Sequence, residues 1–383
     1  MFRRIINPLR TNSFFLFGAR ATGKSTYIQA QFRPEKALCF DLLDPEQEDR
    51  YTKNPKLVEQ LIETQKPEWV VIDEVQRIPK LLNIAHRLIE RDKQKFILLG
   101  SSARKLKRGL GNLLAGRAFV HELFPLTTHE LGHEFDLKEV MQWGSLPHIF
   151  SFASELERKR FLRSYVQTYL REEIQQEQIV RRLDPFRLFL DIAAQNSGKI
   201  INAHRIGSEA GCDGKTVLNY FQILEATYVG FFLPAFHLSI RKSQRQKPKF
   251  YFFDIGIKRT LDQTLGDNIT PKTSSYGELF EHWVVQEIYR LNSYTEHDYR
   301  LSYFQTPKGA EIDLILTRSK QHYLIEIKST DAIDEIEVRS LGRFAADFGG
   351  SATAVYLSQS SIRVDIEGVQ CWNWKDWLRT FFV

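Results

Sequence analysis

The eight residues Gly18-Ala-Arg-Ala-Thr-Gly-Lys-Ser25 constrain this chain more than any other stretch. They fit the pattern G-x-x-x-x-G-K-[ST], whose glycines let backbone N–H groups wrap a phosphate chain. Such a loop belongs between a strand and a helix, because the helix N-terminus must face the anion. The flanks agree. Ser13-Phe-Phe-Leu-Phe17 is a short apolar run that predicts a buried strand, and a helical pattern begins at Lys24. Gly18, Ala19, Arg20, Ala21, Thr22, Gly23, Lys24, Ser25 and Thr26 are therefore the expected cradle for ATP. Lys24 is expected to reach the β- and γ-phosphates, and the Ser25 hydroxyl to ligate Mg²⁺.

Two further strands point to the same site. Trp69-Val-Val-Ile-Asp73-Glu74 is a continuous apolar run ending in two acids, the signature of a parallel strand covered on both faces. Carboxylates at such a strand end open into the ligand crevice. Asp73 is expected to hold Mg²⁺ through water, and Glu74 to act as general base on the attacking water. Lys95-Phe-Ile-Leu-Leu-Gly100 ends in Ser101 and Ser102, suited to sensing the γ-phosphate, with Ser101 the first choice. Arg117 follows the next helical stretch and is placed as an arginine finger on a neighbouring copy. A finger acting in trans requires a homo-oligomer with a head-to-tail interface, closed as a ring or open as a spiral.

From about residue 128 to 195 the apolar spacing is helical, as at Phe161, Tyr165, Val166, Tyr169 and Leu170, and predicts a helical lid. Trp143 and His148 are expected in its core. Beyond it, Ile201–Ala210 and Lys215–Leu224 read as two helices joined by a tight turn at Gly211–Gly214. Strand-like runs follow at 228–240 and 249–254, which predicts a winged helix. Lys215, Thr216, Asn219 and Tyr220 open its second helix and are the expected DNA contacts. Arg241, Lys242, Arg245, Lys247 and Lys249 form a basic wing with no acid among them, suited to phosphate contact. Winged helices also serve as protein-interaction modules, so this alternative stays open.

Near the end, Tyr276–Ile288 reads as an amphipathic helix bearing Glu278, Glu281 and Glu287. Asp313 interrupts one apolar strand and Glu326-Ile-Lys328 the next, with Glu326 and Lys328 on one face by alternation. Asp313 and Glu326 are expected to share Mg²⁺ or Mn²⁺, with Glu281 or Glu278 completing the set and Lys328 positioning a water. A restriction-endonuclease-like α/β domain is expected here. Such folds also persist as binding scaffolds, so cleavage is left open.

The 383 residues, 43% hydrophobic and 26% charged, suit several globular domains. The expected division is an AAA-type ATPase core at 1–125, a helical lid at 126–185, a winged helix at 186–265 and the nuclease-like domain at 266–383. Net charge of +6 is too mild to name a partner by itself. Cys39, Cys212 and Cys371 lie far apart and form neither a disulfide framework nor a zinc pattern. No apolar run approaches the ~18 residues of a membrane span. The first ten residues lack the apolar stretch of a secretory signal, so a cytoplasmic protein is expected.

Nine segments occur in an order that resembles one known group. They are FGARATGKS, VVIDEVQRIPKLL, FILLGSSARKL, NLLAGRAFVHELFPLTTHEL, WGSLPHIF, YVQTYLREEI, KPKFYFFDIGI, GELFEHWVVQEI and GAEIDLIL with LIEIK. The chain resembles, from Phe14 to about Ser329, the prokaryotic AAA-type ATP-binding proteins whose C-terminal region was long catalogued as a domain of unknown function. The resemblance implies an ATPase core, a winged helix and a restriction-endonuclease-like terminus. It carries Lys24, Ser25, Asp73 and Glu74 over as the nucleotide site, and Asp313, Glu326 and Lys328 as the nuclease-like triad. Ala19 replaces a frequent proline, and YLREEI a more usual arginine-aspartate pair. The domain order is similar to that of origin-binding and archaeal ATPases. The expected function is an oligomeric DNA-binding ATPase that remodels or translocates DNA, branched DNA included. The alternative is a regulatory or defence switch whose terminal domains bind protein or DNA without cutting.

Overall fold

The computed structural model describes residues 2–32, 36–102, 114, 116–170, 183–237, 246–306, 309–348 and 352–383. In the N-terminal third, β1 (Ser13–Phe17), β2 (Ala37–Asp41), β3 (Trp69–Asp73), β4 (Lys95–Gly100) and β5 (Ala118–Glu122) form one parallel sheet. Its order is β2-β3-β4-β1-β5, so the loop-bearing β1 lies beside β4, which leads into Ser101. Strand alternation divides the apolar side chains between two faces. Phe15, Phe17, Val70, Ile72 and Leu98 pack under α2 (Pro45–Lys53), α3 (Lys56–Gln65) and α4 (Leu81–Asp92). Phe14, Leu16, Val71, Ile97 and Leu99 face α1 (Lys24–Gln31) through Tyr27 and Ile28. With both faces covered, the central strands are continuous apolar runs, and their polar ends collect at one edge.

The next segment is helical in short pieces. It comprises α5 (Thr128–Leu131), α6 (Leu137–Trp143), a 3₁₀ turn at Pro147–Ser151, and α7 (Glu155–Ser164) running into a π-helical stretch at Tyr165–Leu170. Capping boxes open α5 at Thr127/Glu130 and α7 at Ser154/Glu157. Then α8 (Leu183–Gln195), α9 (Ala203–Ala210) and α10 (Gly214–Ala226) precede the antiparallel hairpin β6 (Gly230–Leu233) and β7 (Lys249–Phe252), in winged-helix order. A short α11 (Ile255–Leu261) follows.

The C-terminal region is a long helix, α12 (Ser274–Tyr294), on a six-stranded mixed sheet ordered β12-β13-β11-β10-β9-β8. Strands β8 (Arg300–Gln305), β9 (Glu311–Arg318) and β10 (Gln321–Ile327) are antiparallel. Strands β11 (Ala352–Ser358) and β13 (Val369–Asn373) run parallel to β10, and β12 (Val364–Ile366) caps the edge. Helices α13 (Glu335–Phe348) and α14 (Trp374–Phe382) complete it.

Helix α12 forms as expected, with Glu278 exposed, but it also buries polar groups: His282, Gln286, Glu287 and Arg290. They bind backbone from elsewhere. His282 and Gln286 reach Phe252 O, Arg290 reaches Phe253 O and Leu126 O, and Glu287 accepts from Thr128 N at 2.7 Å. One apolar core consequently runs from the segment after β5, through the hairpin, into the C-terminal sheet. No described helix is long and apolar enough to cross a membrane.

Candidate functional site

The phosphate loop is built by glycine and one lysine. Gly18 has φ 154°, and a Cβ there would stand 2.2 Å from Leu123 O, so only glycine fits. Gly23, with φ 91°, caps α1 in the left-handed region. Lys24 is buried and folds back over the loop, donating to Gly18 O at 2.8 Å and Ala19 O at 3.0 Å. Thr22 closes the loop on Ala19 O at 2.9 Å. Across the sheet edge, the Ser25 hydroxyl donates to Asp73 Oδ2 at 2.6 Å. Burial pushes the Asp73 carboxyl up, against the Ser25 hydrogen bond and the Lys24 charge. This hydroxyl–carboxylate pair beside a phosphate loop is the hard-oxygen donor set that Mg²⁺ takes.

Glu74, the next residue, is 5% exposed and has a left-handed backbone, φ 54°. Its Oε2 accepts from Gln76 Nε2 and from Ser101 Oγ at 2.9 Å, with Ser101 N at 3.4 Å. Ser101 is thus the serine that reaches the acidic end of β3. Arg117 lies at the opposite edge of the sheet, before Ala118, which pairs with Ser13 at the start of β1. It is bonded to Glu90 of α4. That position takes it away from the nucleotide loop of its own chain.

A cavity of about 830 Å³ adjoins the loop, lined by Ala21, Gly23 and Thr26 together with Phe2, Arg4, His148 and Phe150. His148 is exposed and belongs to this wall, which corrects its placement in the core. It stands in the 3₁₀ turn, where Pro147 directs the chain and neighbouring positions point to different sides. Sequence reasoning missed Arg4 altogether. Its buried guanidinium donates to Thr22 O at 2.8 Å, Glu130 Oε1 at 2.8 Å, Phe124 O at 2.5 Å and Tyr294 Oη at 3.1 Å. One side chain therefore joins the phosphate loop, the first lid helix and the end of α12.

In the winged helix, Lys215 and Asn219 are exposed at the start of α10, as is Lys247 before β7. Thr216 Oγ1 donates to Asp213 Oδ2 at 2.9 Å and serves the helix cap. Tyr220 is 7% exposed and packs on Phe186 and Phe189, so it is a core residue and not a DNA contact. Arg241, Lys242 and Arg245 lie outside the described residues. Lys249 points inward and is buried, contrary to its expected place on the wing.

The structure brings Asp313, Glu326 and Lys328 together. Asp313 accepts from Ile327 N at 2.8 Å, and Lys328 Nζ is 2.8 Å from Glu326 and 3.5 Å from Glu337. Burial, then Glu326 and Glu281, push the Asp313 carboxyl far up. Glu281 is near enough to act on both Asp313 and Glu326, and it also accepts from Tyr251 Oη at 2.8 Å and faces Lys249 at 3.7 Å. Lys249 Nζ also lies 2.5 Å from Glu311. Glu278 is further out, paired with Lys199 at 3.1 Å. Among the described residues no three His, Cys, Asp or Glu side chains are gathered to hold a metal ion. Of the expected ligands, Glu326 is paired with Lys328 and Glu281 faces Lys249, while Asp313 has no lysine within salt-bridge distance among the described residues.

Three family models match consecutive segments. An AAA domain matches residues 10–132, a domain of unknown function (DUF8612) residues 134–268, and a second domain of unknown function (DUF4143) residues 276–377. The middle model takes in lid and winged helix as one unit. An uncharacterized protein of Mycobacterium tuberculosis is 26% identical over 320 residues, covering 82% of this chain and 70% of that one. An uncharacterized protein of Haemophilus influenzae is 21% identical over 301 residues, covering 71% and 73%. Among solved structures, the Aeropyrum pernix ORC2 protein matches at a TM-score of 0.37 and 11% identity, over 67% of this chain and 87% of that one. The strand order and the phosphate loop, not this distant likeness, establish the N-terminal fold.

Proposed function

Because the chain belongs to the prokaryotic AAA-type family of P-loop ATPases, we propose that it hydrolyses ATP to remodel or move along DNA held by its winged helix. The observation that carries the proposal is the grouping at one sheet edge of Lys24, Ser25, Asp73, and a Glu74 carboxylate tied down through one oxygen. Lys24 exchanges two backbone carbonyls for the β- and γ-phosphates. Glu74 takes the proton of the attacking water through Oε1, which has no hydrogen-bond partner among the described residues. Ser25 and Asp73 would hold Mg²⁺, which when bound supplies charge neutralisation at the phosphates. The cavity walled by Phe2, His148 and Phe150 offers aromatic surface to the base.

The DNA reading is supported by the helix-turn-helix order and by Lys215, Asn219 and Lys247, exposed on α10 and ahead of β7. An oligomer is part of the proposal, with Arg117, which lies away from its own chain's loop, as the finger on a neighbour's nucleotide. The proposed organisation is the four-part division at 125, 185 and 265. The deciding experiment measures ATP turnover and strand cleavage together on single-stranded, duplex and four-way-junction DNA. Duplex or junction DNA is expected to raise turnover severalfold in low salt with Mg²⁺. No stimulation by any of the three overturns the DNA reading.

For the C-terminal domain, the pairing of Lys249 and Lys328 with its acids favours binding without cutting. Intact DNA after prolonged incubation with Mg²⁺ or Mn²⁺ is the expected result. Cleavage that disappears in Asp313→Ala would restore the metal-dependent nuclease.

A further inference from the structure

We infer that Gln76 is a positioning residue for ATP hydrolysis, fixing Glu74 so that one carboxylate oxygen is tied down and the other is reserved for the water. The inference rests on the ATPase reading above and adds a residue to it.

The geometry is a closed triangle. Gln76 Nε2 donates to Glu74 Oε2 and to Ser101 Oγ at 3.1 Å, while Ser101 Oγ donates to the same Oε2 at 2.9 Å. Each member is buried: Glu74 is 5% exposed, Gln76 8% and Ser101 2%. A carboxylate hung on a long side chain samples several rotamers unless donors hold it. Here every donor converges on one oxygen, which leaves the other oriented and unsatisfied.

The backbone supports the same reading. Glu74 occupies the left-handed region, which non-glycine residues adopt only when their surroundings hold them there. The turn Val75–Arg77 follows directly, closed by Arg77 N to Glu74 O at 2.9 Å and braced by Arg77 on Glu48 at 2.7 Å. That turn places residue 76 back over residue 74.

A separate observation comes from Gly100. A Cβ at this position would lie 2.7 Å from Gln76 Oε1. The end of the sensor strand is therefore shaped around the amide. Oε1 itself has no hydrogen-bond partner among the described residues. The donor end of Gln76 is what its position serves.

Steady-state ATPase kinetics of the full chain test this. Gln76→Ala is expected to lower kcat about a hundredfold, the scale of one lost preorganised hydrogen bond, with KM changed less than about twofold. Gln76→Glu sets a second carboxylate against Glu74 and raises its proton affinity. The acid limb of kcat should then move up by about one pH unit or more. Gly100→Ala should lower kcat in the same direction by displacing the amide. Binding of a fluorescent ATP analogue controls for folding. If the wild type turns over ATP while Gln76→Ala and Gln76→Glu match its kcat within twofold and keep its acid limb, the role of Gln76 is overturned alone. If the wild type has no turnover on any DNA, the ATPase reading falls first and this inference with it.

Discussion

The two acidic centres use the same residue types in opposite electrostatic states. At the N-terminal centre, Lys24 donates to backbone carbonyls, and Glu74 is held by neutral groups, the Gln76 amide and the Ser101 hydroxyl. At the C-terminal centre, Lys249 sits against Glu311 and Glu281, and Lys328 against Glu326 and Glu337. A lysine bonded to carbonyls can turn to an incoming phosphate by exchanging one oxygen acceptor for another. At the second centre a partly buried ion pair must first be broken, leaving a carboxylate without its cation. Residue composition at a strand end is thus a poor guide to readiness; what the lysine already touches is a better one.

The largest expected effect is at the first centre. Lys24→Ala or Asp73→Ala should lower ATP turnover on the order of 10³-fold, since each removes a charge that acts directly on the phosphates or their metal. DNA binding, measured by anisotropy at fixed salt, should stay within twofold. Turnover above a tenth of wild type would break the contrast between the centres. Second in size is Arg4→Ala. It leaves Glu130 buried without its cation, which costs about 3 to 5 kcal/mol of stability by denaturant titration. It also frees the Thr22 carbonyl of the loop, so ATP affinity should fall with it. An unchanged unfolding midpoint would deny Arg4 its linking role.

Third is Lys249→Met, which keeps the side-chain stem and removes the charge. If the lysine is what closes the C-terminal centre to metal, Mn²⁺ affinity by calorimetry should rise roughly a hundredfold over wild type, because two carboxylates become available as hard ligands. Equal Mn²⁺ binding in both proteins would erase the distinction between paired and available acids. Weak binding in both would identify the acids as purely structural.

What could be read in advance follows from how local the physics is. β1, β3 and β4 announced themselves as apolar runs with polar ends, and the loop between β1 and α1 is set by residues adjacent in sequence. Tyr220 was readable too: it lies on the Val217, Phe221, Leu224 stripe of α10, and helical spacing already assigns it to the core. Lys249 was not, since all four positions of β7 are buried and alternation gives no inner or outer face. Nor was Arg4, whose partners Glu130 and Tyr294 lie 126 and 290 residues away. The buried polar groups of α12 were hidden for the same reason. A stripe that binds distant backbone looks identical, in one dimension, to a stripe that faces water.

Glu287 on α12 offers the finest test, because it is an acid in neither centre. It is fully buried, accepts from Thr128 N, and lies 3.5 Å from Arg290. Burial raises its carboxyl to about 7, against the pull of Arg290 and the Thr128 hydrogen bonds and with help from Glu130. The folded chain therefore keeps a proton that the unfolded chain releases near the ordinary glutamate range. Between those two values the native state binds more protons, so stability must fall as pH rises, and level off above about 7. The expected loss from pH 5 to 7 is about 2 kcal/mol from this one group. Glu287→Gln keeps an acceptor for Thr128 and cannot titrate, so its unfolding free energy should lose that slope while ATP turnover stays at the wild-type value. A slope that persists in the variant would assign the pH dependence to the other carboxyls that burial raises, Asp73, Asp254, Asp313 and Glu326, instead.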